Sequence, residues 1–147
     1  ESIPISIVDR VTETEGLSHE FLVWCGLHPQ GSHWVEILVA RSDAPTQVLE
    51  TFANNEDIII RSKVAANPRT PGRTLEVLAK EVGTHSLHVR MAVAANPNTP
   101  ETVLIDMSNF SAYTSIRLAA TENLKNRQSN SSRQEQGAFV SETKRRM

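Results

Sequence analysis

The phrase VAANPRTPGRT at positions 64–74 returns as VAANPNTPETV at positions 93–103, 29 residues further on. A chain that spells one phrase twice at a fixed interval builds one supersecondary unit twice. The wording says what the unit is. In VRMAVAANPNTPETVLIDM, Val89, Met91, Ala92, Val93 and Ala95 form an apolar run that Asn96-Pro97 interrupts. Pro97 disfavours helical geometry at Asn96, so a helix is expected to stop there. Thr99-Pro100 then restarts helix: Thr99 suits the N-cap, and Pro100 suits the first helical position, where its missing N–H costs nothing. Val103, Leu104 and Met107 fall on one face of that second helix. The unit is a short helix, a tight turn and another helix.

Residues 64–80 follow the same grammar, with Asn67-Pro68 as the stop, Thr70-Pro71 as the restart, and Leu75, Leu78 and Ala79 as the apolar face. A degenerate earlier copy is ILVARSDAPTQVLETFA at 37–53, where Ala44-Pro45 takes the restart place and Val48, Leu49 and Phe52 the buried face. A truncated later copy is IRLAATENL at 116–124. Arg61, Arg90 and Arg117 align the last three copies at intervals of 29 and 27, and Val35 stands at the arginine position of the first. A period of 26–29 residues built from two short helices predicts stacked units. One unit cannot bury its apolar face alone, and a neighbour supplies the missing half of the core.

VRMAVAANPNTPETVL resembles the leucine-rich repeat variant family, whose repeat reads roughly V-R-x-x-V-A-x-N-P-x-T-P-x-x-x-L. The resemblance covers residues 35–124 and is specific in two of the copies. It implies an all-α, armadillo/HEAT-like right-handed α-solenoid. The family repeat is shorter, about 24 residues, so insertions are expected at 80–88 and 108–115. Some members carry an iron–sulfur cluster before the repeats. Cys25 is the single cysteine of this chain, which cannot supply the four thiolates such a cluster takes.

The expected organisation is a lead-in or linker at 1–16, a capping helix and loop at 17–34, repeats at 35–60, 61–89 and 90–116 with a partial one at 117–124, and a polar tail at 125–147. Ile3, Ile5 and Ile7 alternate as in a short strand or extended lead-in. Leu17, Phe21, Leu22, Trp24 and Leu27 suit a helix that closes the end of the stack. The tail holds few apolar residues besides Phe139 and Val140 and reads as mobile, with helix around Ala138–Arg146. The chain opens on Glu1 without a charged start and apolar signal core, and reads as a fragment or processed product.

Net charge is -2 with a pI near 6.2, which as a whole favours neither nucleic acid nor an anionic membrane. No apolar run approaches the roughly 20 residues of a membrane span. With one cysteine, a reducing, cytoplasmic setting is expected. Cys25, His28 and His33, with His19 upstream, are the one cluster of metal-ligating types. Three ligands in a loop with Pro29 and Gly31 favour the plainer reading, a buried thiol and two loop histidines, so neither metal nor cofactor is expected. His85 and His88 stand three apart, with no carboxylate or nucleophile at recognisable spacing, and no catalytic residue is assigned.

Arg61, Arg90 and Arg117 should form a spatial row, with His88 beside it. Such a row can bind carboxylates or phosphates. As part of the repeat grammar, each arginine is better read as holding helix carbonyls or an acidic loop residue such as Asp57. The expectation is a non-enzymatic module that binds another protein or peptide, its candidate surface being Arg61, His88, Arg90 and Arg117. The alternatives are a grip on a nucleic-acid backbone, against which the near-neutral charge counts, and a structural or oligomerising segment of a larger protein.

Overall fold

The computed structural model describes residues 17–27 and 32–145, and beyond residue 134 only the backbone. The expected lead-in at 1–16, with its alternating isoleucines, lies outside the described residues. Among those described there are eight α-helices and one 3-10 turn, and no strand. The helices are α1 (His19–Leu27), α2 (Ser32–Ala40), α3 (Thr46–Phe52), α4 (Ile58–Ala66), α5 (Gly72–Ala79), α6 (Leu87–Ala95), α7 (Glu101–Phe110) and α8 (Thr114–Arg145). The 3-10 turn, Thr84–Ser86, leads into α6.

Two interleaved series run through this order. Helices α2, α4, α6 and α8 begin at intervals of 26, 29 and 27 residues, and α1, α3, α5 and α7 at intervals of 27, 26 and 29. The alternation thus reaches one helix further upstream than the sequence pattern. In the segment expected as a capping helix and loop at 17–34, α1 stands where the second helix of an earlier unit would, and Trp34 already belongs to α2. Along the first series α2 packs on α4, α4 on α6 and α6 on α8. The second series packs onto it, α3 on α2 and α4, α5 on α4 and α6, and α7 on α8.

The buried side chains recur with the same intervals. Trp34, Ile60, Val89 and Ile116 are one buried set, Leu38, Val64, Val93 and Ala120 a second, and Leu49, Leu75 and Leu104 a third. Each fully buried aliphatic side chain contributes about 1.5–3 kcal/mol relative to exposure. The gain requires the neighbouring unit, because each set sits where one helix pair meets the next. Gly26 permits the close approach of α1 to α3, since a Cβ there would come within 2.8 Å of a Val48 methyl. The link between α5 and α6, residues 80–86, is longer than the corresponding links at 53–57 and 111–113. Its turn needs Gly83, whose φ of 102° suits few residues with a Cβ.

The turns within the units depart from the expected caps. Asn67 and Asn96 do end their helices, in extended backbone. The threonines do not cap the next helix. Pro71 and Pro100 occupy the cap position, and the buried hydroxyls of Thr70 and Thr99 turn back to donate to the carbonyls of Val64 and Val93. The polar tail also differs from expectation, because α8 runs unbroken to Arg145. Leu124 explains the difference. It stands where Pro68 and Pro97 end the equivalent helices, and without a proline nothing there removes a backbone donor.

Candidate functional site

Three asparagines six residues beyond the aligned arginines tie the units together. Asn67 Nδ2 donates to the carbonyls of Val39 and Arg41 at 2.7 and 2.8 Å. Asn96 Nδ2 donates to those of Ala65 and Asn67 at 2.7 and 2.8 Å. Asn123 Nδ2 donates to those of Ala94 and Asn96, both at 2.9 Å. Each amide reaches back one unit and satisfies carbonyls that the preceding helix leaves open at its C-terminus. Asn67 and Asn96 also hold their own turns, accepting at Oδ1 from the backbone of Arg69 and Asn98. This ladder spans the stack with side chains that the sequence presents only as helix breakers. The available signal is Asn123, which keeps the asparagine where the proline is gone.

The three arginines, one per unit, have three different surroundings. Arg61 is fully engaged. Its Nε and Nη2 form a fork on the two carboxylate oxygens of Glu81, at 2.8 and 3.3 Å. Its Nη1 donates to the carbonyls of Asn55 and Glu56. The acidic partner is therefore Glu81 and not Asp57, which caps α4 by accepting from the Ile59 backbone. Arg117 is exposed and donates to the Ser111 carbonyl and the Thr114 hydroxyl at 3.3 and 3.4 Å. Arg90 is half-buried, and its Nε is a buried donor without a partner among the described residues. His88 lies exposed on the same helix, and no described side chain bonds it into a site.

Arg90 opens into a cleft of about 270 Å³ between α5 and α7. One wall carries Glu76, Ala79 and Lys80, and the other Thr102, Val103, Asp106, Met107 and Phe110. Lys80 is occupied by Glu76 at 3.1 Å. Phe110, at the end of α7, is 81% exposed, a large apolar side chain among those lining the cleft. The sequence marks Arg90 but does not reveal the cleft, because it exists only where two helices of successive units stand apart.

The expected cysteine–histidine cluster fares differently. Cys25 is fully buried, and its burial pushes the thiol above its ordinary pKa, which disfavours the thiolate a metal needs. His33 and His19 are exposed, and His28 lies outside the described residues. Among the described residues no group of three His, Cys, Asp or Glu side chains could hold a metal ion. No helix among them is long and apolar enough to cross a membrane.

Among the described residues, these observations define an all-helical architecture built of repeated helix pairs. No family model, curated protein or solved structure matches the chain.

Proposed function

We propose that this chain is a non-enzymatic interaction module, an armadillo-like α-solenoid related to the leucine-rich repeat variant family, that binds another protein or a peptide. The observation that carries the reading is the cleft beside Arg90: an open pocket lined by an arginine whose buried Nε has no partner among the described residues, and by an exposed phenylalanine. Interfaces are enriched in such arginine and aromatic anchors. The interval between helix pairs and their stacking support the solenoid. A protein partner in a reducing, cytoplasmic setting suits a chain whose one thiol is buried.

Gripping a nucleic-acid backbone is the less favoured reading, since Arg61 is already spent on Glu81 and cannot release its charge to a phosphate without leaving that carboxylate half-buried. The test is affinity capture from native lysate with the whole chain beside Arg90→Gln, after circular dichroism shows that both fold. A protein that survives stringent washing on the wild type, and binds directly when purified, supports the module. If nothing is retained and sedimentation shows concentration-dependent self-association, the chain is an oligomerising segment and the reading falls.

A further inference from the structure

The repeat supplies its own picture of the missing ligand. Glu81 lies 20 residues after Arg61, and the residue 20 after Arg90 is Phe110. Both positions end the helix that follows the arginine's own, Glu81 just beyond α5 and Phe110 at the last turn of α7. In one unit the chain provides a carboxylate to the guanidinium fork. In the next it provides an aromatic ring that turns to solvent and leaves the fork unfilled. The two environments differ in one further respect. The longer link at 80–86 separates α5 from α6, whereas Arg61 finds the Asn55 and Glu56 carbonyls of a shorter link.

The geometry points to a specific occupant, deepening the interaction reading on which it rests. The Arg90 cleft receives the carboxylate of a glutamate or aspartate side chain from a partner protein, in the place that Glu81 takes on Arg61, with an apolar neighbour of that acid lying on Phe110. A planar guanidinium and a carboxylate match two donors to two acceptors, and the pair gains when one nitrogen is already desolvated. Arg90 Nε is in that state, so the cost of stripping water from it has been met on folding. The charges around it set the limits. Glu76 is neutralised by Lys80. Asp106 lines the same cleft without an ion pair to any described residue and opposes an incoming acid. The site therefore selects an acid delivered with apolar contact and binds a bare anion poorly.

The test uses the whole chain, labelled with nitrogen-15, and a short blocked peptide with one glutamate between leucines. A twin peptide with glutamine in that place is the control. The expected result is a saturable shift of the Arg90 Nε–H resonance with the glutamate peptide and none with its twin. Two variants at exposed positions keep the test independent of folding. Phe110→Glu rebuilds the Arg61–Glu81 pair inside the cleft and should abolish peptide binding while moving the Arg90 resonance toward that of Arg61. Asp106→Asn should tighten binding several-fold, more at low salt than at high. Equal shifts with both peptides, or an Arg90 resonance that neither the peptide nor Phe110→Glu moves, would overturn the assignment. A lysate partner captured equally by the wild type and Phe110→Glu would overturn it too, yet leave the interaction module standing.

Discussion

Asn96 is almost sealed from water, and its side-chain amide makes three hydrogen bonds, two of them to the unit before its own. A buried amide is stabilising only when its partners are all present. Asn96→Ala removes the donor and strands two carbonyls, so we expect a loss of about 2–3 kcal/mol, read as a lower denaturant midpoint at unchanged slope. Asn123→Ala should cost less, because that residue is half-buried. Cys25 makes a second point about isolated polar groups. Its thiol pKa is raised by burial, so the folded state holds the proton where the unfolded chain releases it. The favourable balance is full below the unfolded thiol pKa of about 8.5 and declines as pH rises above it. Cys25→Ala should flatten that alkaline decline, and alkylation of the wild type should follow unfolding.

Helix length in this protein is decided by single residues at the ends. The helices α4 and α6 both stop at Asn-Pro, whereas α8 meets Asn123-Leu124 and continues to Arg145. Continuation closes the ladder, because the carbonyls of Thr121 and Asn123 bond forward within α8 and offer nothing to a further unit. Leu124→Pro should restore the stop. The ring removes a donor and excludes helical geometry at Asn123, as in the two earlier units. The expected outcome is loss of the helical circular dichroism contributed by residues 124–145. Unfolding of the packed units should remain cooperative, because the Asn67 and Asn96 turns show that this rung tolerates a following proline. An undiminished helical signal would mean that tail contacts, and not the missing proline, carry the helix.

Among the described residues each helix packs chiefly on its neighbours in the adjoining units, so stability should be graded along the series. Helices α4 and α6 are flanked by packed helices and by asparagine rungs on both sides. We expect their amides to exchange with solvent most slowly, those of α1 faster, and those of α8 beyond residue 128, whose described side chains are exposed, fastest. Hydrogen exchange read by mass spectrometry tests this order. Equal protection from α1 to the end of α8 would show that the units do not behave as a chain of neighbours. The same series explains why a cleft opens at Arg90. Among the described units, only there do a long link, an absent carboxylate and a longer second helix coincide.

Most of the architecture is legible in the sequence alone. Asn-Pro and Thr-Pro act on the backbone of their immediate neighbours, and apolar spacing reports the buried face of a helix, so the stops, the restarts and residues such as Leu75, Leu78, Val103 and Leu104 can be read locally. The helix α1 as an extra half-unit escapes such a reading, because its sequence shares no phrase with the repeats and only its place in the packing marks it. The site is legible in its members and not in their states. Arg61, Arg90 and Arg117 look alike in the sequence, each with an apolar residue just before it and another three places after it. What separates Arg61 from Arg90 is which group arrives from 20 residues further on and how the intervening link is routed, while Arg117 turns back to Ser111 and Thr114. Local chemistry writes the repeat into the chain, while the engagement of a guanidinium depends on groups that only packing brings within reach.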